Sequence, residues 1–276
     1  MPELPEVETV RRRLGPVMEG ARFERVVLRR KGLRRPFARN FAGRLTSQTV
    51  CALDRRGKYL LAGLSSGETL VMHLGMSGSF RIDLDTSQTP RGDDDVRHDH
   101  VVFRMSSGAV VTYNDPRRFG VMDLVARGKL AQHPAVGALG PEPLEPAFDG
   151  AALARACAGR RISLKVALLD QRVVAGLGNI YASEALHLAG LSPRRRASTI
   201  ATPAGLPKPD AHRLAEAIKQ VLREAIARAS GRRYRSSRFR VYDRNGERCR
   251  TRRCKGTIRR FSQAGRSTFY CPDCQH

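Results

Sequence analysis

The spacing of four cysteines near the C-terminus constrains the fold of this chain more than any other feature: Cys249-x4-Cys254-x16-Cys271-x2-Cys274. Two close thiolate pairs, separated by an insert long enough for a β-hairpin, can surround one Zn²⁺ as a tetrahedron. Disulfide bonds are the alternative, and they are uncommon in the reducing interior of a cell. The spacing therefore favours a small zinc finger with one structural Zn²⁺.

The charge of the chain indicates its partner. The 276 residues include 50 Lys and Arg against 26 Asp and Glu, a formal net charge of +24. Such an excess is typical of proteins that bind polyanions. No apolar run is long enough to span a membrane, and acidic residues stand where a signal peptide has basic ones, so we expect an intracellular protein. Charge alone leaves ribosomal proteins, nucleoid proteins and nucleic-acid enzymes open.

Basic residues are dense just before and within the cysteine region. Residues 231–260 hold 13 Lys and Arg against two acids, Asp243 and Glu247. That density favours contacts with phosphates over a merely solvated surface. Two other cysteines, Cys51 and Cys157, stand alone in apolar surroundings and are expected to lie in the core.

The hydrophobic pattern changes once along the chain. From Phe23 to Val125, short β-like runs alternate with turns and predict a β-sandwich or a barrel-like domain. Prolines and glycines in the following stretch are typical of a linker. From about Gly150 the period becomes helical. In the clearest helix Asp210 is a candidate N-cap, Gly231 ends it, and one apolar face contains Leu214, Ile218, Val221, Leu222, Ala225 and Ile226.

The chain begins MPELPEVETV. Pro5 suits the first turn of a helix whose apolar stripe runs from Val7 to Val17, but that helix gives Pro2 and Glu3 no role. If Met1 is removed, Pro2 presents a secondary α-amine. At pH 7.5 roughly a third of such amines are unprotonated, against about a thousandth of lysines. Pro2 could therefore attack a sugar C1′, and Glu3 could protonate the ring oxygen.

Six segments together resemble the formamidopyrimidine-DNA glycosylase family, in family order over essentially the whole chain. They are MPELPEVETV, RRGKYL (55–60), HLGMSG (73–78), DPRRFG (115–120), GLGNIYASEAL (176–186) and AGRSTFYCPDCQ (264–275). The PELPE segment resembles this branch more than the related endonuclease VIII branch.

The resemblance implies an α+β multidomain fold. Its parts would be an N-terminal β-sandwich with flanking helices (1–126), a linker (127–149), a helix–two-turn–helix domain (150–235) and a β-hairpin zinc finger (236–276). The implied partner is double-stranded DNA containing oxidised bases or abasic sites, with no membrane involved. We expect a monomer in the bacterial cytoplasm, associated with the nucleoid through its DNA.

The implied reaction is removal of oxidised purines followed by β- and δ-elimination. The resemblance gives Pro2 the role of nucleophile and Glu3 that of acid, with Glu6 as a supporting carboxylate. Roles in binding or catalysis are implied for further residues. Two of them, Lys58 and Arg266, are expected to bind phosphates at the lesion and to assist catalysis. The others are expected to bind DNA: His73 and Asn179 at phosphates, Met76, Arg117 and Phe119 in the void left by the extruded base, Lys165 in action on 8-oxoguanine, and Tyr242 and Arg260 as further backbone contacts.

Two features depart from the family pattern. The first cysteine pair is spaced x4 where x2 is common, a variation that zinc geometry tolerates. The glycine-rich segment and flexible loop before the finger are reduced to SGRRYRSSRFRVYDR (230–244), so the loop that covers an extruded 8-oxoguanine is predicted to be deleted. Two alternatives stay open: a DNA-binding protein without catalysis, and a glycosylase whose preference has shifted to other oxidised bases.

Overall fold

The computed structural model describes residues 2–84, 97–229 and 239–276. The chain divides into two compact units, Met1–Ala138 and Leu139–His276. None of the described helices is long and apolar enough to cross a lipid bilayer.

The first unit is a β-sandwich flanked by helices. The helices are α1 (Leu4–Met18) and α2 (Phe41–Leu45), and a short 3₁₀ turn covers Leu130–Gln132. The strands are β1 (Phe23–Leu28), β2 (Val50–Arg56), β3 (Tyr59–Leu64), β4 (Thr69–His73), β5 (Ser79–Asp83), β6 (Asp99–Met105), β7 (Val110–Asn114) and β8 (Val121–Val125).

The eight strands form two antiparallel sheets, with orders β2-β3-β4-β8 and β1-β6-β7-β5. Side chains of both sheets, such as Leu60 and Phe103, share one buried core with Leu14 and Met18 of α1. The period-two alternation along β3, where every second residue is buried, produces the inward face.

The expectation for Cys51 is wrong, because its side chain is exposed. The register of β2 against β3 shifts between Val50 and Ala52, so Cys51 is the extra residue of a β-bulge. A bulge interrupts the alternation from which burial is read. Cys157 is buried, as expected.

The second unit contains α3 (Gly150–Cys157), α4 (Leu164–Leu169), α5 (Asn179–Leu188), α6 (Pro209–Ala229), a 3₁₀ turn (Ala197–Ile200) and the hairpin of β9 (Arg259–Gln263) and β10 (Arg266–Tyr270). The six predicted apolar residues of α6 are all buried. This helix begins at Pro209, so Asp210 lies in its first turn rather than at its N-cap. The fold class predicted from the sequence is confirmed.

Candidate functional site

The N-terminal segment is held by the start of α1. Glu3 is the N-cap residue of this helix and only 2% of its surface is exposed. Glu3 and Glu6 form a reciprocal capping box, in which Glu6 Oε2 accepts the backbone N–H of Glu3 at 2.9 Å. The half-buried Pro2 is the residue next to this cap. The helix end therefore fixes a carboxyl group directly beside the residue that would carry the amine.

His73 and Lys58 meet at one end of the sheet that contains β3 and β4. Lys58, directly before β3, is 6% exposed, and the ring of His73 at the end of β4 lies 4.8 Å from that of Tyr59. Burial, with the positive charges of Lys58 and Arg34, lowers the pKa of His73 to about 4. Its Nδ1 accepts the N–H of Gly75 at 3.0 Å. The ring is therefore neutral at pH 7 and carries its proton on Nε2, which makes it an uncharged donor.

Two turns bring the three predicted void-filling residues into one region of the first unit. Met76 and Phe119 are large apolar side chains that remain 43% and 41% exposed. The guanidinium of Arg117 lies 4.8 Å from the ring centre of Phe119. Gly75 has a φ of +62°, and a Cβ there would overlap the backbone of Phe119, so the two turns can approach only with glycine at this position.

A buried carboxylate joins these two turns. Asp115 is fully buried and accepts hydrogen bonds from Ser77 Oγ at 2.6 Å, the N–H of Gly120 at 2.7 Å and the hydroxyl of Tyr113 at 3.3 Å. The N–H of Arg117 in turn donates to Ser77 Oγ at 3.2 Å. Ser77 follows Met76 directly, so one hydrogen-bond network fixes the backbone around both turns.

In the second unit, Asn179 connects a helix start to the hairpin. It is the first residue of α5, and its Nδ2 donates to the carbonyl of Ser267 at 3.0 Å. The turn before α5 is held by Gln171, whose side chain bonds the carbonyl of Leu177 at 2.8 Å and the N–H of Gly176 at 2.9 Å. Backbone N–H groups at such a helix start favour a phosphate.

Lys165 lies inside the second unit, with 1% of its surface exposed. Its Nζ donates to Asn179 Oδ1 at 2.6 Å, Thr268 Oγ1 at 2.7 Å and the carbonyl of Ser267 at 3.1 Å. These three acceptors use the three protons of the ammonium. This position differs from that expected of a DNA-contacting lysine, and it favours a role in positioning Asn179 against β10.

Arg266 and Arg260 lie on the hairpin. Arg266 begins β10 directly after a two-residue turn, Ala264 and Gly265, and its side chain is exposed. Arg260 on β9 is also exposed, and its Nε donates to Ser267 Oγ at 3.0 Å. Both guanidinium groups are therefore presented at the surface beside the strand that contacts Asn179.

Tyr242 is held by a buried carboxylate from α5. Glu184, 4% exposed, accepts three consecutive backbone N–H groups, from Arg240 at 2.7 Å and from Val241 and Tyr242 at 2.9 Å each. The ring of Tyr242 packs edge-to-face against Phe269 of β10. Glu184 thus fixes the backbone at the entrance to the finger.

The four cysteines of the finger lie together, as their spacing predicts. Their sulfur atoms are all within 4.8 Å of one another, and two pairs are 3.7 and 3.8 Å apart. A Zn–S distance of about 2.3 Å gives a tetrahedral edge of about 3.8 Å. The N–H groups of Thr251 and Gly256 donate to the sulfur atoms of Cys249 and Cys254. A Cβ at Gly256 would lie 2.8 Å from the Cys271 sulfur, so the loop closes tightly over the thiolates. The donor set fits Zn²⁺.

Three family models match the chain in sequence order. They describe the formamidopyrimidine-DNA glycosylase N-terminal domain (residues 1–122), the formamidopyrimidine-DNA glycosylase H2TH domain (139–236) and a zinc finger found in FPG and IleRS (246–276). The chain belongs to the formamidopyrimidine-DNA glycosylase family. Its four clustered cysteines are the zinc-finger site of that family and hold one structural Zn²⁺.

Relatives and solved structures agree with this assignment. Formamidopyrimidine-DNA glycosylases of a Bradyrhizobium species and of Rhodopseudomonas palustris are 59% and 57% identical, with the whole of each chain covered. A Lactococcus lactis member of the family, non-covalently bound to DNA containing an AP site, superposes with a TM-score of 0.85, at 31% identity and with 99% of both chains covered. A Thermus thermophilus member superposes with a TM-score of 0.82, at 38% identity and with 99% of this chain and 98% of that chain covered.

Sequence reasoning missed three residues that hold candidate site residues in place, two in the first unit and one in the second. Asp115 and Ser77 lie in the DPRRFG and HLGMSG segments, and Glu184 lies in GLGNIYASEAL. Their acidic or hydroxyl side chains inside those segments were the available signal. Their partners are distant in sequence, so only the fold shows what they bond. The predicted loop deletion and the N-terminal Met1 lie outside the described residues.

Proposed function

We propose that this protein removes oxidised purines, formamidopyrimidines and 8-oxoguanine, from double-stranded DNA and then cleaves the strand as an AP lyase. The observation that carries the proposal is the placement of Pro2 beside a buried Glu3 at the capped start of α1. Family membership over the full length supports it. The catalytic group is the α-amine of Pro2, which exists once Met1 has been removed.

The first step is displacement of the base. The lone pair of the Pro2 nitrogen attacks C1′ of the damaged nucleotide, the glycosidic bond breaks, and the base leaves with the bonding electrons and takes up the proton that the attacking nitrogen loses. The nitrogen then forms a double bond to C1′ as the C1′–O4′ bond opens, and Glu3 supplies the proton that O4′ takes up. Glu6 supports this step because it holds the backbone of Glu3.

The second step follows from proline being a secondary amine. The iminium formed by Pro2 has no N–H to lose, so it stays cationic and acidifies the hydrogens on C2′. Loss of that proton expels the 3′ phosphate, and a second elimination expels the 5′ phosphate. Water then hydrolyses the iminium and restores the amine of Pro2.

Phosphates of the DNA are proposed to bind to several groups in each unit. In the first unit, the ammonium of Lys58 and the neutral Nε2–H of His73 are close enough for the lysine to lower the pKa of the histidine. In the second unit, Arg266, the start of α5 at Asn179 and, as further contacts, Arg260 and Tyr242 face the backbone. Lys165 acts through Asn179, because its ammonium is engaged inside the protein.

The exposed side chains of Met76 and Phe119 suit the space that a flipped base leaves behind, and filling that space offsets a flipping cost of a few kcal/mol. Arg117 would face the orphaned cytosine, which gives a preference for lesions paired with C. The proposed partner is supported by relatives, since a MutM protein that superposes with a TM-score of 0.85 is bound to DNA containing carbocyclic 8-oxo-G.

Substrate ranking depends on the segment before the finger. The alignment with the Bradyrhizobium relative covers 294 positions, more than the 276 residues of this chain, as expected if relatives carry residues that this chain lacks. We therefore infer that this protein acts more slowly on 8-oxoguanine than on formamidopyrimidines or abasic sites. The reduced cysteines of the zinc site are consistent with action in the bacterial cytoplasm.

The experiment that tests the proposal is borohydride trapping on duplexes containing an abasic site, formamidopyrimidine-guanine, 8-oxoguanine or thymine glycol. Mass spectrometry first establishes that Met1 is absent and zinc is bound. A covalent adduct that mass spectrometry of the digested complex places on the nitrogen of Pro2 supports the proposed mechanism. Pro2→Gly keeps a primary α-amine, so its adduct is expected to weaken and not to disappear. No adduct from such a preparation would leave a DNA-binding protein without catalysis, and a strongest adduct on thymine glycol would mean a shifted base preference.

A further inference from the structure

His187 occupies a position that neither the sequence motifs nor the proposed chemistry uses. It lies in the last turn of α5 and is 7% exposed. Its Nε2 is 3.5 Å from the sulfur of Cys249 and 3.4 Å from Oγ1 of Thr251. Cys249 is the first zinc ligand, and Thr251 belongs to the four-residue spacer that departs from the common family spacing. The imidazole therefore contacts the zinc site at the widened spacer between the first two cysteines.

The geometry around the ring decides which of its two nitrogen atoms carries the proton. The Nδ1 atom of His187 is buried and has no hydrogen-bond partner within residues 2–84, 97–229 and 239–276. A proton on Nδ1 would leave a buried donor without an acceptor, and the lone pair on Nε2 would then face the negative thiolate of Cys249. The proton therefore belongs on Nε2, where the sulfur can accept it. The four sulfur atoms already complete a tetrahedral donor set, so His187 acts as a donor to a ligand and not as a ligand.

We propose that His187 is a positioning residue of the zinc site, which donates its Nε2–H to the metal-bound thiolate of Cys249 and fastens the widened spacer to α5. Donors to the ligand atoms of a metal fix their orientation and typically change metal affinity by about 10- to 100-fold. The backbone N–H of Thr251 donates to the same sulfur at 3.4 Å, so the spacer and the helix hold one ligand from two directions.

The consequence is that both ends of α5 are hydrogen-bonded to the finger. Asn179 at the first turn bonds the carbonyl of Ser267 in the hairpin, and His187 at the last turn bonds Cys249. Retention of zinc is thereby coupled to the helix that begins with Asn179. This inference concerns the metal site and does not depend on the proposed glycosylase and lyase steps.

The test compares His187→Phe with His187→Gln in the full-length, zinc-loaded protein. Phenylalanine keeps a planar ring but has no N–H, whereas the glutamine side-chain amide can place an N–H close to the Nε2 position. The rate of zinc release to an excess of a chromogenic chelator should be at least about tenfold higher in His187→Phe than in the unsubstituted protein. In His187→Gln the rate should be within about twofold of that of the unsubstituted protein. Release at the original rate in His187→Phe would overturn the proposal, and so would equally fast release from both variants, which would indicate packing alone.

A second measurement needs no substitution at His187. In protein loaded with ¹¹³Cd, NMR should detect scalar coupling between the cadmium and the Nε2 proton of His187, transmitted through the Cys249 sulfur. Thr251→Val, which removes the neighbouring hydroxyl, should retain that coupling. A His187 ring whose nitrogen shifts place the proton on Nδ1 would contradict the assigned donor.

Discussion

The hydroxyl of Ser77 donates a 2.6 Å hydrogen bond to the carboxylate of Asp115, across 38 positions of sequence. This bond joins the turn that carries Met76 to the turn that carries Arg117 and Phe119. Both turns expose apolar side chains to solvent, which costs free energy unless another molecule covers them. Rigid exposure of this kind is expected of residues that enter DNA. The buried carboxylate of Asp115 holds the backbone of both turns in this position.

Asp115→Asn should therefore disturb the two turns together. The amide replaces one acceptor oxygen with a donor, so either the N–H of Gly120 or the hydroxyl of Ser77 loses its partner in a buried site. We expect the free energy of unfolding to fall by about 1–3 kcal/mol, measured by urea titration, and the excision rate to fall with it. Asp123→Asn, at a carboxylate that is 44% exposed, is the matched control and should change stability by less than about 0.5 kcal/mol. Equal stabilities for the two variants would contradict the role of Asp115.

Lys165→Met should destabilise the second unit instead of simply weakening DNA binding. Removal of the ammonium leaves the buried Thr268 Oγ1 and the half-buried Asn179 Oδ1 and Ser267 carbonyl without that donor, at an expected cost of about 2–4 kcal/mol. Lys208→Met, at an exposed lysine, should cost almost no stability.

The salt dependence of DNA affinity separates the two roles. Arg266→Ala should lower the slope of log affinity against log salt by about one, whereas folded Lys165→Met should retain the original slope. A lower slope in Lys165→Met would indicate that Lys165 contacts a phosphate directly.

The contrast between Lys165 and the cysteines explains what could be predicted from the sequence. Cysteine spacing encodes its own geometry, because ligands two to four residues apart must lie near one metal. The ammonium of Lys165 bonds Thr268, 103 positions away, and nothing in SLKVALLDQ indicates that contact. The exposure of Cys51 was not predicted for a related reason, because a β-bulge shifts the alternation of buried and exposed residues without a sequence signal. The strands and α6 could be predicted because their periodic burial is local.

The protonation of His73 makes a prediction for the pH dependence of stability. Its pKa in the folded state is about 4, below the 6.5 of an unfolded histidine, so between these values the unfolded chain binds more protons. The contribution of His73 is therefore fully present above pH 6.5 and is lost as the pH falls towards 4, by roughly 2–3 kcal/mol. His73→Asn, which can keep an acceptor near the Nδ1 position, should show a flatter decline of unfolding free energy across that range. Parallel curves for the two proteins would show that His73 is not responsible.

Loss of zinc should weaken DNA binding without changing the α-amine of Pro2. Cys254→Ser is expected to lower zinc content and to disorder the hairpin that presents Arg260 and Arg266, so binding to an abasic-site duplex should fall by at least about tenfold. Cys51→Ser is the matched control, because Cys51 is exposed in the first unit and should leave both zinc content and affinity unchanged. Normal binding by zinc-free Cys254→Ser would separate the finger from DNA recognition.

Restoring a family-length loop tests why the segment from Ser230 to Arg244 is short. If the missing residues recognise extruded 8-oxoguanine, an insertion after Gly231 with the family sequence should raise excision of 8-oxoguanine by about tenfold or more, which corresponds to about 1.4 kcal/mol of transition-state stabilisation. Cleavage of abasic sites should stay the same, since that step needs no base. An inserted Gly/Ser segment of equal length is the control, because it restores length without the groups that bond the base. An unchanged rate on 8-oxoguanine with the family sequence would refute the inferred loss, and a similar gain from the Gly/Ser segment would show that length alone, through closure over the site, limits excision.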